Sequence, residues 1–110
     1  MKDNWTINNY QMQAREFAIY PEDMQIMYPA LGLAGEAGEV ADKVKKIYRD
    51  GRDDVRFYAD IAKEIGDVLW YCAVLADDLG FDLQQVAEMN IYKLKSRRAT
   101  GKISGSGDNR

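Results

Sequence analysis

The sequence predicts an all-α fold, a four-helix bundle of one domain completed by oligomerisation. Three observations carry this reading. Apolar residues recur every three or four positions in four separate segments, which is the spacing of a helix face, and no segment alternates apolar and polar residues as a half-buried strand does. Pro21, Gly51 and Gly80 punctuate the gaps between the segments. The chain has 110 residues, about one ordinary domain and too few for two.

The first helix is expected from about Thr6 to Ile19. Thr6 suits the N-cap, Ile7, Tyr10, Ala14, Phe17 and Ala18 form the apolar face, and Pro21 ends it. The second runs from about Tyr28 to Arg49, with Pro29 at an early helical position and Asp50-Gly51 as the stop. Leu33, Val40, Val44 and Ile47 mark its stripe, and a charged connection, Asp50 to Arg56, follows. The third spans about Phe57 to Leu79. Ile61, Ile65, Val68, Leu69, Cys72 and Leu75 form one face, widened by Trp70, Tyr71 and Val74, so it should be the most buried helix. The fourth begins at Asp82, a good N-cap, and continues to about Arg98, with Leu83, Val86, Ala87, Ile91 and Leu94 apolar. Residues 1–99 read as one helical domain and 100–110 as a Gly/Ser-rich tail, a loop by composition. A chain this short buries a limited core. The second and third helices are apolar enough that one protomer is not expected to cover them, so self-association is expected.

Composition narrows the chemistry. There are 15 Lys and Arg, 18 Asp and Glu and no histidine, for a formal net charge of -3. Without histidine there is no Ser-His-Asp or Cys-His catalysis and no His-ligated zinc. The single Cys72 allows no disulfide framework and no cysteine metal cluster, and reads as a small core residue in a reducing compartment. The acidic balance argues against a general nucleic-acid binder. No apolar run reaches the length of a membrane span, and MKDNWTINNYQ is too polar for a signal peptide, so a cytoplasmic location is expected.

Two acidic pairs are the informative feature. Glu36 and Glu39 lie in GLAGEAGEV, and Glu64 and Asp67 in AKEIGDVLWY. A separation of three puts both acids of each pair on one helix face. Acids beside a core stripe cost desolvation energy unless something compensates. A hard divalent cation such as Mg²⁺, which takes oxygen ligands, would compensate. Ordinary solvent-facing acids are the alternative for either pair alone. Gly32, Gly35 and Gly38 recur on the second helix and Gly66 lies between Glu64 and Asp67, each at a cost of ~1 kcal/mol relative to alanine. Close helix packing or room for a ligand would explain them. A phosphate-binding P-loop is excluded, because no strand or Gly-Lys-Ser/Thr ending is present.

GEAGE followed by KEIGDVLWY resembles the E-x-x-E … E-x-x-D signature of the MazG-like nucleoside triphosphate pyrophosphohydrolases, part of the all-α NTP pyrophosphatase superfamily. The resemblance covers about Pro29 to Arg98. It implies a Mg²⁺-dependent helical bundle, with Mn²⁺ a possible substitute, commonly a dimer or tetramer. Such proteins split a nucleoside triphosphate into the monophosphate and pyrophosphate. It implies Glu36, Glu39, Glu64 and Asp67 as metal ligands and catalytic residues, one glutamate orienting or deprotonating the attacking water.

Asn90, Lys93 and Arg97 in NIYKLKSRR share one helix face. That face is either solvated or a phosphate site, and its resemblance to the family's last helix favours phosphate binding. Lys43 lies four residues after Glu39, the spacing of a helix-surface ion pair, with Lys46 beyond it. Trp70, just after the second acid pair, is a candidate for stacking on the base, as is the N-terminal segment with Trp5, Tyr10 and Tyr28; core packing is the other reading. The ending GSGDNR resembles small MazG-like proteins of phage and bacterial type, and Lys102 or Arg110 would then fold over the phosphates. The expected function is therefore hydrolysis of surplus or non-standard (deoxy)nucleoside triphosphates. The alternatives are a phosphoribosyl-ATP pyrophosphohydrolase-like enzyme and a catalytically silent helical dimerisation or regulatory module.

Overall fold

The computed structural model describes residues 5–51 and 55–101. Within them the chain forms four helices and no strand: α1 (Ile7–Arg15), α2 (Met27–Arg49), α3 (Val55–Asp78) and α4 (Leu83–Ala99), with a single 3₁₀ turn at Glu22–Met24. The all-α expectation holds. Lys102 and Arg110 lie outside the described residues.

Local chemistry explains most of the boundaries. The Thr6 hydroxyl accepts the Asn9 N–H at the start of α1. Asp82 and Gln85 form a reciprocal capping box at the start of α4. At the end of α3 the Phe81 N–H bonds Ala76 O and the Gly80 N–H bonds Asp77 O. That pattern needs a left-handed residue, which Gly80 supplies at φ 87°.

The first helix is shorter than its sequence suggests. It stops at Arg15, not Ile19, and the N–H groups of Glu16, Phe17 and Ala18 bond three residues back in a tightening turn. Phe17 and Ile19 are 71% and 93% exposed, so no burial holds a further turn. A contact from the far end of α3 takes over instead. The Asp78 carboxylate, fully buried, pairs with Arg15 at 2.9 Å and accepts hydrogen bonds from the Tyr20 hydroxyl and the Ile26 N–H. Ile26 sits at φ 67°, ψ -55°, with the Met27 N–H closing back on Gln25 O, a strained γ-turn for a β-branched residue. Its N–H bond to Asp78 helps hold it there.

The core is narrow and built from small residues. Ala14, Ala73, Ala76 and Leu83 cluster where α1, α3 and the start of α4 meet, with Tyr10 and Trp70 packed against them. Gln11 is buried inside this junction. Its amide donates to Ala73 O and Phe81 O and accepts the Leu83 N–H, satisfying an orphan donor at the start of α4. α2 packs mainly along α3, and α4 mainly on α1 and α3. α3 carries the fully buried Ala73 and Val74, but Ile65 and Leu69 on the face expected to be the most buried are exposed. Many large apolar groups nevertheless stay exposed, among them Leu31, Ile65, Met89, Ile91 and Tyr92. Among the described residues no helix is long and apolar enough to cross a membrane.

Candidate metal centre

The α2–α3 pairing brings acids from both helices to one place. Carboxylate oxygens of Glu36, Glu64 and Asp67 lie within 4.8 Å of one another. Glu36 and Glu64 are half-buried and Asp67 is exposed. Glu39, one turn beyond Glu36, lies outside this group and faces solvent. Three of the four expected acids thus converge.

The electrostatics carry the strain of that convergence. Partial desolvation pushes the Glu36 carboxyl above its ordinary range. The charges of Asp67 and Glu64, a hydrogen bond with Glu64 and the charge of Glu39 add to the push. A cation from α2 answers it. The Lys43 ammonium lies 3.2 Å from Glu64 Oε1. The lysine that sequence spacing assigns to a pair along α2 with Glu39 instead reaches across to α3. The donor set fits a hard divalent ion. It is all oxygen and comes from three carboxylates gathered from two helices.

The glycines divide between the two readings. A Cβ on Gly32 would run into the Tyr71 ring, so that glycine permits close helix packing. Added Cβ atoms on Gly35, Gly38 and Gly66 would meet nothing within 4 Å. Those three leave open space around the acids.

Tyr71, packed over Gly32, brings its phenol under the influence of the centre. Burial raises its pKa first, followed by Tyr28 and the charges of Glu36 and Asp67. Tyr28 in turn stacks on Tyr20 at 5.0 Å. Tyr71 and Lys43 are neighbours of the acids to which the sequence assigned no part in the site. The glycine four residues before Glu36 and the cation seven after it are the signals that pointed there.

Trp70 is held elsewhere. Its indole N–H donates to Ala14 O at 3.1 Å and its ring packs against the core junction, which is the structural role its apolar surroundings also allowed. On α4, Asn90 is exposed, Lys93 half-buried and Arg97 only 5% exposed. Cys72 is half-buried and burial raises its thiol pKa, as befits a packing residue. Between the end of α2 and the start of α3 lies a cavity of about 230 Å³, lined by Lys43, Lys46, Phe57, Asp60 and Ile61 among others.

Comparison with known proteins agrees with this architecture. The family model described as the MazG nucleotide pyrophosphohydrolase domain matches residues 28–101, which contain all three converging acids, Glu39 and the whole of α4. The Gene 37 protein of Mycobacterium phage L5 is 45% identical over 113 residues, covering 94% of this chain and 98% of that protein. No solved structure matches the chain significantly. The signature acids on α2 and α3, the all-helical fold and the match over most of the chain lead to one conclusion: the protein belongs to the MazG nucleotide pyrophosphohydrolase domain family.

Proposed function

We propose that the protein is a Mg²⁺-dependent hydrolase, with Mn²⁺ able to substitute, that splits a (deoxy)nucleoside triphosphate into the monophosphate and pyrophosphate. The observation that carries this reading is the convergence of Glu36, Glu64 and Asp67 within 4.8 Å. When bound, the ion supplies Lewis-acid activation and offsets charge at the phosphates. Glu36, Glu64 and Asp67 hold it. Glu39 stands one turn away with its carboxylate in solvent, a position suited to accept a proton from the attacking water. Lys93 and Arg97 are the α4 cations for phosphate oxygens, with Asn90 beside them. Base stacking falls to Trp5 and Tyr28, which are exposed, rather than to Trp70, whose ring packs against the core junction.

The substrate class and a homo-oligomeric state belong to the same proposal. The second rests on the exposed apolar residues of α2, α3 and α4. A pyrophosphate-release assay over a panel of nucleoside triphosphates, with and without Mg²⁺, tests the activity. Metal-dependent release from at least one nucleotide is expected. No release from any nucleotide would leave the silent helical module as the better reading.

A further inference from the structure

Lys43 lies where two kinds of partner meet. Its ammonium is 3.2 Å from Glu64 Oε1, one of the three converging carboxylates, and the side chain is 39% exposed. The same residue lines the cavity at the α2–α3 end, whose other charged residues are Lys46, Asp50 and Asp60. Its neighbour Lys46 is engaged differently, at 2.7 Å from Asp42 on its own helix. A lysine stem is flexible and its head is a compact charge, so Lys43 can turn between the carboxylates and the cavity without moving the backbone.

We propose that Lys43 is a positioning residue with two successive partners: it is the counter-cation of Glu64 while the carboxylates hold no metal, and it turns to the phosphate oxygens of a bound anion once they do. This rests on the metal reading given above. The argument is Coulombic. Three carboxylates so close repel one another, and a single ammonium beside Glu64 relieves part of that. A dication among them removes the attraction that holds Lys43 to Glu64 and repels its charge. Across about 6 Å in a water-like dielectric, which the exposure of Lys43 allows, that repulsion corresponds to roughly a tenfold change in metal affinity. The displaced ammonium stays within reach of the centre, where a polyphosphate brings negative charge. Lys43 therefore opposes metal binding in the absence of an anion and favours anion binding in the presence of metal.

The two halves can be read separately, without turnover. Mn²⁺ is titrated calorimetrically into the metal-free protein, and inorganic pyrophosphate into the Mn²⁺-saturated protein. Lys43→Gln is expected to bind Mn²⁺ roughly tenfold tighter and pyrophosphate severalfold weaker. Lys43→Arg should resemble the wild type on both axes, and Lys46→Gln should leave the Mn²⁺ affinity unchanged. Unchanged or weaker Mn²⁺ binding in Lys43→Gln overturns the proposal, since the lysine would then be neutral toward the centre or merely hold Glu64 in place. Unchanged pyrophosphate affinity overturns it as well. Failure of the wild type to bind Mn²⁺ removes the metal reading and this inference with it. Mn²⁺ binding without hydrolysis of any nucleotide removes the substrate assignment alone.

Discussion

Glu36 is held above the ordinary carboxylate range, by desolvation first and then by Asp67, Glu64 and Glu39. The sign of the consequence follows from linkage. A carboxyl whose pKa is raised on folding binds its proton more tightly in the native state, so its contribution to stability falls as pH climbs from the ordinary carboxylate value through the raised one. A bound dication replaces that proton. Mg²⁺ should therefore raise the melting temperature more at pH 7.5 than at pH 5, and the difference should shrink in Glu36→Gln; equal shifts at both pH values in the wild type would contradict this. The neighbouring acids separate by role. Asp67→Asn should abolish Mg²⁺-dependent pyrophosphate release together with metal binding. Glu39→Gln should lower kcat by about 10²-fold or more while metal still binds, as expected for loss of a general base. Both variants should retain the helical circular-dichroism spectrum. Full activity in either one would mean that another residue fills its role.

At the level of elements, long-range polar contacts determine what local sequence does not. The C-terminal end of α3 and both ends of α4 were legible, because Gly80, Asp82 and the polar stretch after Arg98 act within a turn of themselves. The end of α1 was not. Its apolar spacing continues through Phe17 and Ala18, but the chain turns away to let Tyr20 reach Asp78, 58 positions along. Nothing near Ile19 in the sequence records that contact. Asp78 itself reads as one of two adjacent acids at a helix end, yet Asp77 is 47% exposed and Asp78 is sealed. Burial opposes the Asp78 charge, but the Ile26 N–H, the Tyr20 hydroxyl and Arg15 outweigh it and hold the carboxyl below its usual range. This contribution is present above the ordinary carboxylate pKa and is lost as pH falls through the lowered value. Asp78→Ala should cost about 3 kcal/mol in urea unfolding, because it leaves the Tyr20 hydroxyl and the N–H of the strained Ile26 turn without their acceptor. Asp77→Ala should cost less than about 1 kcal/mol. Similar losses for the two would mean that the buried set acts as a surface pair.

The acid site was legible for a different reason: its residues recur at helical spacing on two segments, and a helical hairpin needs only that spacing to bring them together. The exclusion of Glu39 from the converging group depends on how α2 is rotated against α3, which spacing alone leaves open. Gln11 was missed because the apolar face was read from hydrophobic residues alone. It lies four residues after Ile7 and three before Ala14, so it faces the same junction as they do.

On the scale of the whole molecule, the fold is loosely gathered for its length. Its radius of gyration is 16.7 Å, against about 13 Å for a compact chain of 100 residues. Three of the four residues in its central buried cluster are alanine, and small side chains bring little apolar area out of water. Meanwhile Leu31 on α2 and Ile65 on α3 remain 66% and 54% exposed, with Leu69 one turn beyond Ile65 on the same helix face. A chain that leaves this much apolar surface in water gains by covering it with a second copy, and its stability then depends on protein concentration. Sedimentation should give a mass of at least a dimer, and the melting temperature should rise with concentration. Ile65→Lys combined with Leu69→Lys should shift the mass toward the monomer and remove the concentration dependence, because two lysines placed against an apolar partner cost desolvation energy. A concentration-independent melting temperature and a monomeric mass for the wild type would mean that these helices tolerate their exposure, and the centre formed by Glu36, Glu64 and Asp67 would then have to function within one protomer.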